Sequence, residues 1–197
     1  MGSPRLFVAV PVTGGVLIPL TALLEGAPPT PAVKWTRTDQ LHLTLFFLGP
    51  TPEEKIPGLI RSLSELSARY RPFRLSIEGW GAFPDKRSPK VLFADVGGSA
   101  GVLEALASDV QRSIGTEQAS GEKPAAFKAH VTLGRIRERK EAGPALRYLE
   151  REKDRLIGTF PMDGLVLFES VLEPGGARYI KRASFSFPGM DSSQGVV

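Results

Sequence analysis

The sequence predicts an α+β fold made of two related halves that line one cleft. Three observations point there. The chain has 197 residues and only two histidines, each in the same pattern: His42-Leu43-Thr44-Leu45 and His130-Val131-Thr132-Leu133. Strand-like runs recur at near-constant offsets, Leu6–Val10 with Leu92–Val96 at 86 positions and Phe73–Ile77 with Phe160–Gly164 at 87, against 88 for the histidines. Between these anchors lie stretches whose apolar residues are spaced as on helices. Fixed offsets of this kind are what duplication leaves behind.

The elements follow in order. Arg5–Val10, largely apolar and β-branched or aromatic, reads as a first strand. Val16–Leu24 reads as a helix, and Gly26–Pro31, rich in proline, as the loop after it. Gln40–Leu48 is a strand, Glu53–Tyr70 a helix and Phe73–Ile77 a strand. After the turn-rich Pro84–Pro89, Leu92–Val96 opens the second half as a strand. Ala100–Ile114 follows as a helix, Ala119–Pro124 as a loop and Ala129–Leu133 as the second histidine strand. Ala145–Ile157 reads as a helix and Phe160–Gly164 as a strand. Glu173–Ala177 forms a tight turn into a last strand, Arg178–Phe187. Each half thus reads strand, helix, histidine strand, helix, strand. Residues 1–190 are expected to form one bilobal domain, with 191–197 a flexible tail.

Composition narrows the function classes. Hydrophobic content of 42% and charged content of 23% describe an ordinary globular protein. The absence of cysteine excludes disulfides, thiolate metal sites and a thiol nucleophile, and fits a cytoplasmic location. No apolar run approaches membrane-spanning length, and Arg5–Val10 is too short for a signal peptide. A net charge of +4 favours an anionic ligand, without the Lys/Arg tracts of a duplex binder.

The histidine motifs carry the chemistry. With 10 threonines in 197 residues, finding Thr two positions after both histidines has a chance of about one in 400. On a strand, residues two apart share a face, so His42 projects with Thr44 and His130 with Thr132 while the intervening apolar residues face the core. Two imidazoles across one cleft can divide acid and base work near neutrality. The hydroxyls beside them can donate to oxygens where charge develops. A phosphodiester suits this arrangement. No Asp/Glu cluster accompanies the histidines, so a metal-dependent route is not expected.

Around the motifs, Phe46 has the parity of His42 and Thr44 and is expected to offer a ring for base stacking. Arg135 lies on the wrong face by strict alternation, and only a bulge at Gly134 would turn it inward to clamp a phosphate. Lys128 shares the parity of His130 and can place charge at the cleft rim.

The flanks extend the pattern over nearly the whole chain: Arg5–Val10, Val33–Trp35, Gln40–Gly49, Gly81–Pro84, Pro89–Ala94, Phe127–Arg135, Val166–Ser170 and Gly175–Tyr179. With these the chain resembles the RNA 2',3'-cyclic phosphodiesterase family, also called 2'-5' RNA ligases, of the two-histidine phosphoesterase superfamily. The resemblance implies two pseudo-symmetric lobes, each an antiparallel sheet with helices on its outer face, enclosing a V-shaped cleft. It implies hydrolysis of RNA terminal 2',3'-cyclic phosphate to a 2'-phosphomonoester without metal or cofactor, with 2'-5' ligation as the reverse. By the same analogy His42 donates the proton, His130 accepts it, Thr44 and Thr132 hold phosphate, and Tyr179 and Phe7 join the site. Partners would be RNA ends bearing a cyclic phosphate, with no membrane and no obligate protein partner, on a monomer. Two departures stand out: Ala129 where the family commonly has Pro, and Pro50-Thr51 where an acidic residue usually follows the glycine. Alternatives are another two-histidine phosphoesterase, acting on small cyclic nucleotides, ADP-ribose cyclic phosphate or 2'-5' oligoadenylates, and a non-catalytic RNA-binding module.

Overall fold

A computed structural model of the chain describes residues 3–115, 127–174 and 176–189. Its strands are β1 (Arg5–Pro11), β2 (Val33–Trp35), β3 (His42–Pro50), β4 (Phe73–Phe83), β5 (Val91–Gly98), β6 (His130–Ile136), β7 (Leu156–Met162), β8 (Gly164–Glu173) and β9 (Gly176–Ser186). Its helices are α1 (Leu17–Glu25), α2 (Ile56–Ser67), α3 (Ala100–Ile114) and α4 (Gly143–Arg151). The expected helix over Ala145–Ile157 is divided. It stops at Arg151, and Leu156 and Ile157 open β7 instead. The polar run Glu152-Lys153-Asp154 supplies the turn between them. Phe160–Gly164 likewise spans a boundary, since Asp163 alone separates β7 from β8. The expected Ala119–Pro124 loop and the 191–197 tail lie outside the described residues.

All the pairings are antiparallel, in the order β7-β4-β5-β6-β3-β1-β8-β9 with β2 added on β6. The sheet narrows to a seam between β6 and β3, where Val131 opposite Leu43 is the one paired position. On either side lies a four-stranded lobe, β3-β1-β8-β9 or β6-β5-β4-β7. Helices α2 and α3 pack on each other and on strands of the first lobe, while α1 packs on β7 of the second. Tyr148 of α4 donates to the Leu23 carbonyl of α1 at 2.9 Å.

The lobes are not the two halves of the sequence. β4 comes from the first half but sits in the second lobe, and β8 and β9 make the reverse exchange. The offsets shift as well. Ala9 faces Thr44 and Phe93 faces Thr132, so β1 and β5 correspond at 84 positions and not at 86. Each lobe therefore depends on pairings far apart in sequence, such as Phe7 with Phe168.

The two histidine strands share an irregularity. In β3 the partners step from Ala9–Thr44 to Val8–Phe46, leaving Leu45 as an extra residue. In β6 they step from Phe93–Thr132 to Leu92–Gly134, leaving Leu133. A bulge reverses the alternation beyond it. Leu45 and Phe46 both turn inward and Phe47 outward; Leu133 and Gly134 turn inward and Arg135 outward. A Cβ at Gly134 would press on the Trp35 ring and on Val33, so glycine lets β2 lie close against β6. Beneath the seam Leu43 and Val131 are fully buried, and Leu43→Ala is expected to cost about 2–5 kcal/mol as a core truncation.

Candidate active site

The seam brings the two motifs together. Leu43 opposite Val131 in an antiparallel register sets His42 across from Thr132 and Thr44 across from His130. Imidazole and hydroxyl therefore alternate over the middle of the sheet. Among the described residues, neither threonine hydroxyl bonds to another protein group, so both are available to a ligand.

Each ring is held in the same way. His42 Nδ1 lies 2.6 Å from the carbonyl oxygen of Gln40, and His130 Nδ1 lies 2.6 Å from that of Lys128. A carbonyl can only accept, so Nδ1 carries the proton in both rings. That leaves Nε2 as the atom that gains or loses a proton. Both imidazoles titrate below the ordinary histidine value, chiefly because burial penalises the cation. For His42 the Gln40 carbonyl opposes this, and the nearby charges of His130 and Arg135 add to it. For His130 the Lys128 carbonyl likewise opposes, Lys128 and Arg135 lower it further, and Asp95 pulls upward. His130 lies near enough to lower His42, as the register at the seam requires.

The walls differ. His42 lies against Phe7 and Tyr179, with ring centroids 5.3 and 5.1 Å away; Phe7 in turn stacks on Phe168 and touches Phe47. His130 lies against Phe83 and Phe93 at 4.9 and 5.4 Å. Lys128 arches over the Phe93 ring at 4.6 Å and reaches Asp95 at 4.0 Å, so its charge sits beside His130. Burial raises Tyr179 above the usual tyrosine value, while Arg135 opposes it. Arg135 thus acts on both histidines and on Tyr179, turned to that face by the bulge. The extra residue is Leu133, immediately before the glycine at which the sequence allowed a bulge.

Phe46 is the correction. It is only 6% exposed and packs toward Gly115 at the end of α3, because the Leu45 bulge removes it from the face of His42. Phe47, which strict alternation assigns to the core, takes that place and is 61% exposed. Phe7, at 2% exposure, underlies the site without facing solvent. Sequence reasoning also passed over Gln40 and Asp95. The signal for Phe47 existed: it stands 88 positions before Arg135, so a bulge suspected in one copy implied one in the other.

Among the described residues no group of three or more His, Cys, Asp or Glu side chains gathers to hold a metal ion. A groove of about 340 Å³ lies where β1, β8 and β9 end, lined by Val10, Asp163, Ser184 and Phe187 among others. It contains neither an imidazole nor a cation, and both histidine motifs lie elsewhere, at the seam.

Comparison with known proteins gives the family. A model of the 2'-5' RNA ligase superfamily matches residues 29–171. The chain belongs to that superfamily. Over 176 residues it is 34% identical to the RNA 2',3'-cyclic phosphodiesterase of Archaeoglobus fulgidus, covering 89% of this chain and 96% of that one. The protein of the same name from Thermus thermophilus is 34% identical over 191 residues, with 94% and 91% covered. The crystal structure of the Thermus thermophilus protein TT0787 superposes with a TM-score of 0.78 at 30% identity, over 95% of this chain and 100% of that one. As a member of this superfamily, the chain carries both histidine motifs within the matched span. No helix among the described residues is long and apolar enough to cross a membrane.

Proposed function

We propose that this protein hydrolyses the 2',3'-cyclic phosphate at RNA ends to a 2'-phosphomonoester, the substrate class named for its relatives. The observation that carries the reading is the seam itself. Two imidazoles, each with Nδ1 committed to a carbonyl, share one site with two unengaged hydroxyls. A neutral Nε2 takes a proton from water as its oxygen bonds to phosphorus. The bond from phosphorus to the 3' oxygen breaks, and the second imidazolium gives that oxygen its proton. Thr44, Thr132 and Arg135 donate to the non-bridging oxygens as charge builds there. With a 5'-hydroxyl in place of water as the attacking group, the same steps join a cyclic end to that hydroxyl through a 2'-5' linkage.

The surroundings support His130 as base and His42 as acid. Asp95 stands opposite His130 in the β5–β6 register and favours its cation, whereas among the described residues no carboxylate acts on His42. An imidazolium at His42 is thus the readier proton donor. Phe47 offers the exposed ring on which the terminal base stacks, with Tyr179 beside His42 closing that wall. Lys128 adds positive charge at the rim.

The test is an oligonucleotide ending in a 2',3'-cyclic phosphate, with the product resolved by phosphorus NMR. Accumulation of a 2'-phosphate is expected. A 3'-phosphate product would reverse the leaving oxygen, and no turnover of any cyclic-phosphate end would sink the reading.

A further inference from the structure

Beyond Glu169 the β8–β9 ribbon has no partner in β1. Its far end instead reaches the entrance to the histidine strands. The Ala177 carbonyl accepts a hydrogen bond from Gln40 Nε2 at 2.7 Å, a contact 137 residues apart in sequence. Next to it Gly176, at φ +129°, lies so close to the Lys34 ammonium on β2 that a side chain there would collide with it. Two residues beyond Ala177, Tyr179 sets its ring edge-on to His42, with an interplanar angle of 82°.

Gln40 therefore touches His42 by two routes. Its carbonyl accepts from Nδ1, and its side-chain amide holds the ribbon that lays Tyr179 against the same ring. The equivalent position in the other motif is Lys128, also two residues before its histidine. Its carbonyl makes the same bond to His130, but its side chain turns to Phe93 and Asp95 on the neighbouring strand β5.

We propose that Gln40 is a positioning residue for His42, closing a loop through Ala177 and Tyr179 that fixes the imidazole and shields it from water. The proposal rests on the catalytic role given to His42 above. The charged or titratable groups that face His42 are His130 and Arg135 from β6 and Tyr179 from β9. With the loop cut, those charges stay and the shielding is lost, so the His42 titration moves up toward the ordinary histidine value. His130, held from the other lobe, stays where it is.

With only two histidines, both imidazole titrations can be followed by NMR in the full chain and assigned with His42→Ala and His130→Ala. The variants are Gln40→Leu, which removes the donor, and Gln40→Asn, which keeps an amide but shortens its reach. Both should raise the His42 midpoint, leave that of His130 in place and lower kcat by roughly 10–10²-fold with a smaller change in KM. An unchanged His42 midpoint and unchanged kcat in both variants would overturn the proposal. So would the two midpoints moving together, since that reports general loosening. A selective His42 shift in a protein whose wild type cleaves no cyclic phosphate would uphold the clamp and discard the proposed reaction.

Discussion

The two lobes present the same proton-transfer group in the same way and surround it differently. His42 and His130 each bond through Nδ1 to the carbonyl two residues before, and each strand bulges at the leucine three residues after. The bulges bring equivalent positions to the working face, yet one holds Phe47 and the other Arg135. The residues two before the histidines differ too, Gln40 bonding a distant ribbon and Lys128 covering an aromatic ring. A pseudo-symmetric scaffold alone would accept a cyclic phosphate in either sense. Under the proposed function the departures from symmetry give it a direction, with the nucleobase on the Phe47 side and phosphate charge on the Arg135 side.

The largest effect should fall on what the lobes share. His42→Ala and His130→Ala should each lower kcat by roughly 10²–10⁴-fold while circular dichroism stays near that of wild type. The double variant should lose less than the product of the two, because the rings act together. A single variant retaining full turnover would show that its lobe holds only a structural histidine.

Next comes what the lobes do not share. Arg135→Ala should reduce kcat/KM up to about 10²-fold for every cyclic-phosphate substrate, as the loss of a charge-assisted contact in the transition state. Phe47→Ala should instead raise KM, by roughly 5-fold or more, and only for substrates that carry a base. The exchanged pair Phe47→Arg with Arg135→Phe tests direction itself. Wild-type kinetics in that double variant would mean that the asymmetry orients nothing.

The pH dependence is a subtler probe. Burial holds both imidazoles below about 6.5 in the free protein, so protonated pairs are scarce above that pH and kcat/KM should decline as pH rises. A bound phosphate anion favours the cation facing it and raises that titration. The kcat profile should therefore lie at higher pH than the kcat/KM profile. Superimposable profiles would deny the phosphate its place between the rings. The smallest expected effect is that of EDTA: turnover should be unchanged.

Much of the comparison could be read from the sequence, and its gaps have physical causes. The histidines, the threonines and their strands follow from short-range alternation, which local sequence encodes directly. The bulges do not, because an extra residue is defined by the partner strand; hence alternation alone gives Phe46 the face that Phe47 occupies. Arg135 fared better because Gly134 marks its bulge locally. The exchange of β4 and β8 between lobes, and the bond from Gln40 to Ala177, join segments far apart in the chain and leave no periodic trace.

The proposed reaction needs one phosphorus atom held between two equivalent rings, and a crystal structure with a bound 2',3'-cyclic phosphate mimic tests that directly. His42 Nε2 should lie within ~2.6–3.2 Å of the 3' oxygen and His130 Nε2 within the same range of a water in line with it across phosphorus, with Thr44 and Thr132 on the two non-bridging oxygens. A phosphate engaged by one imidazole alone, or seated in the groove at Asp163, would contradict it.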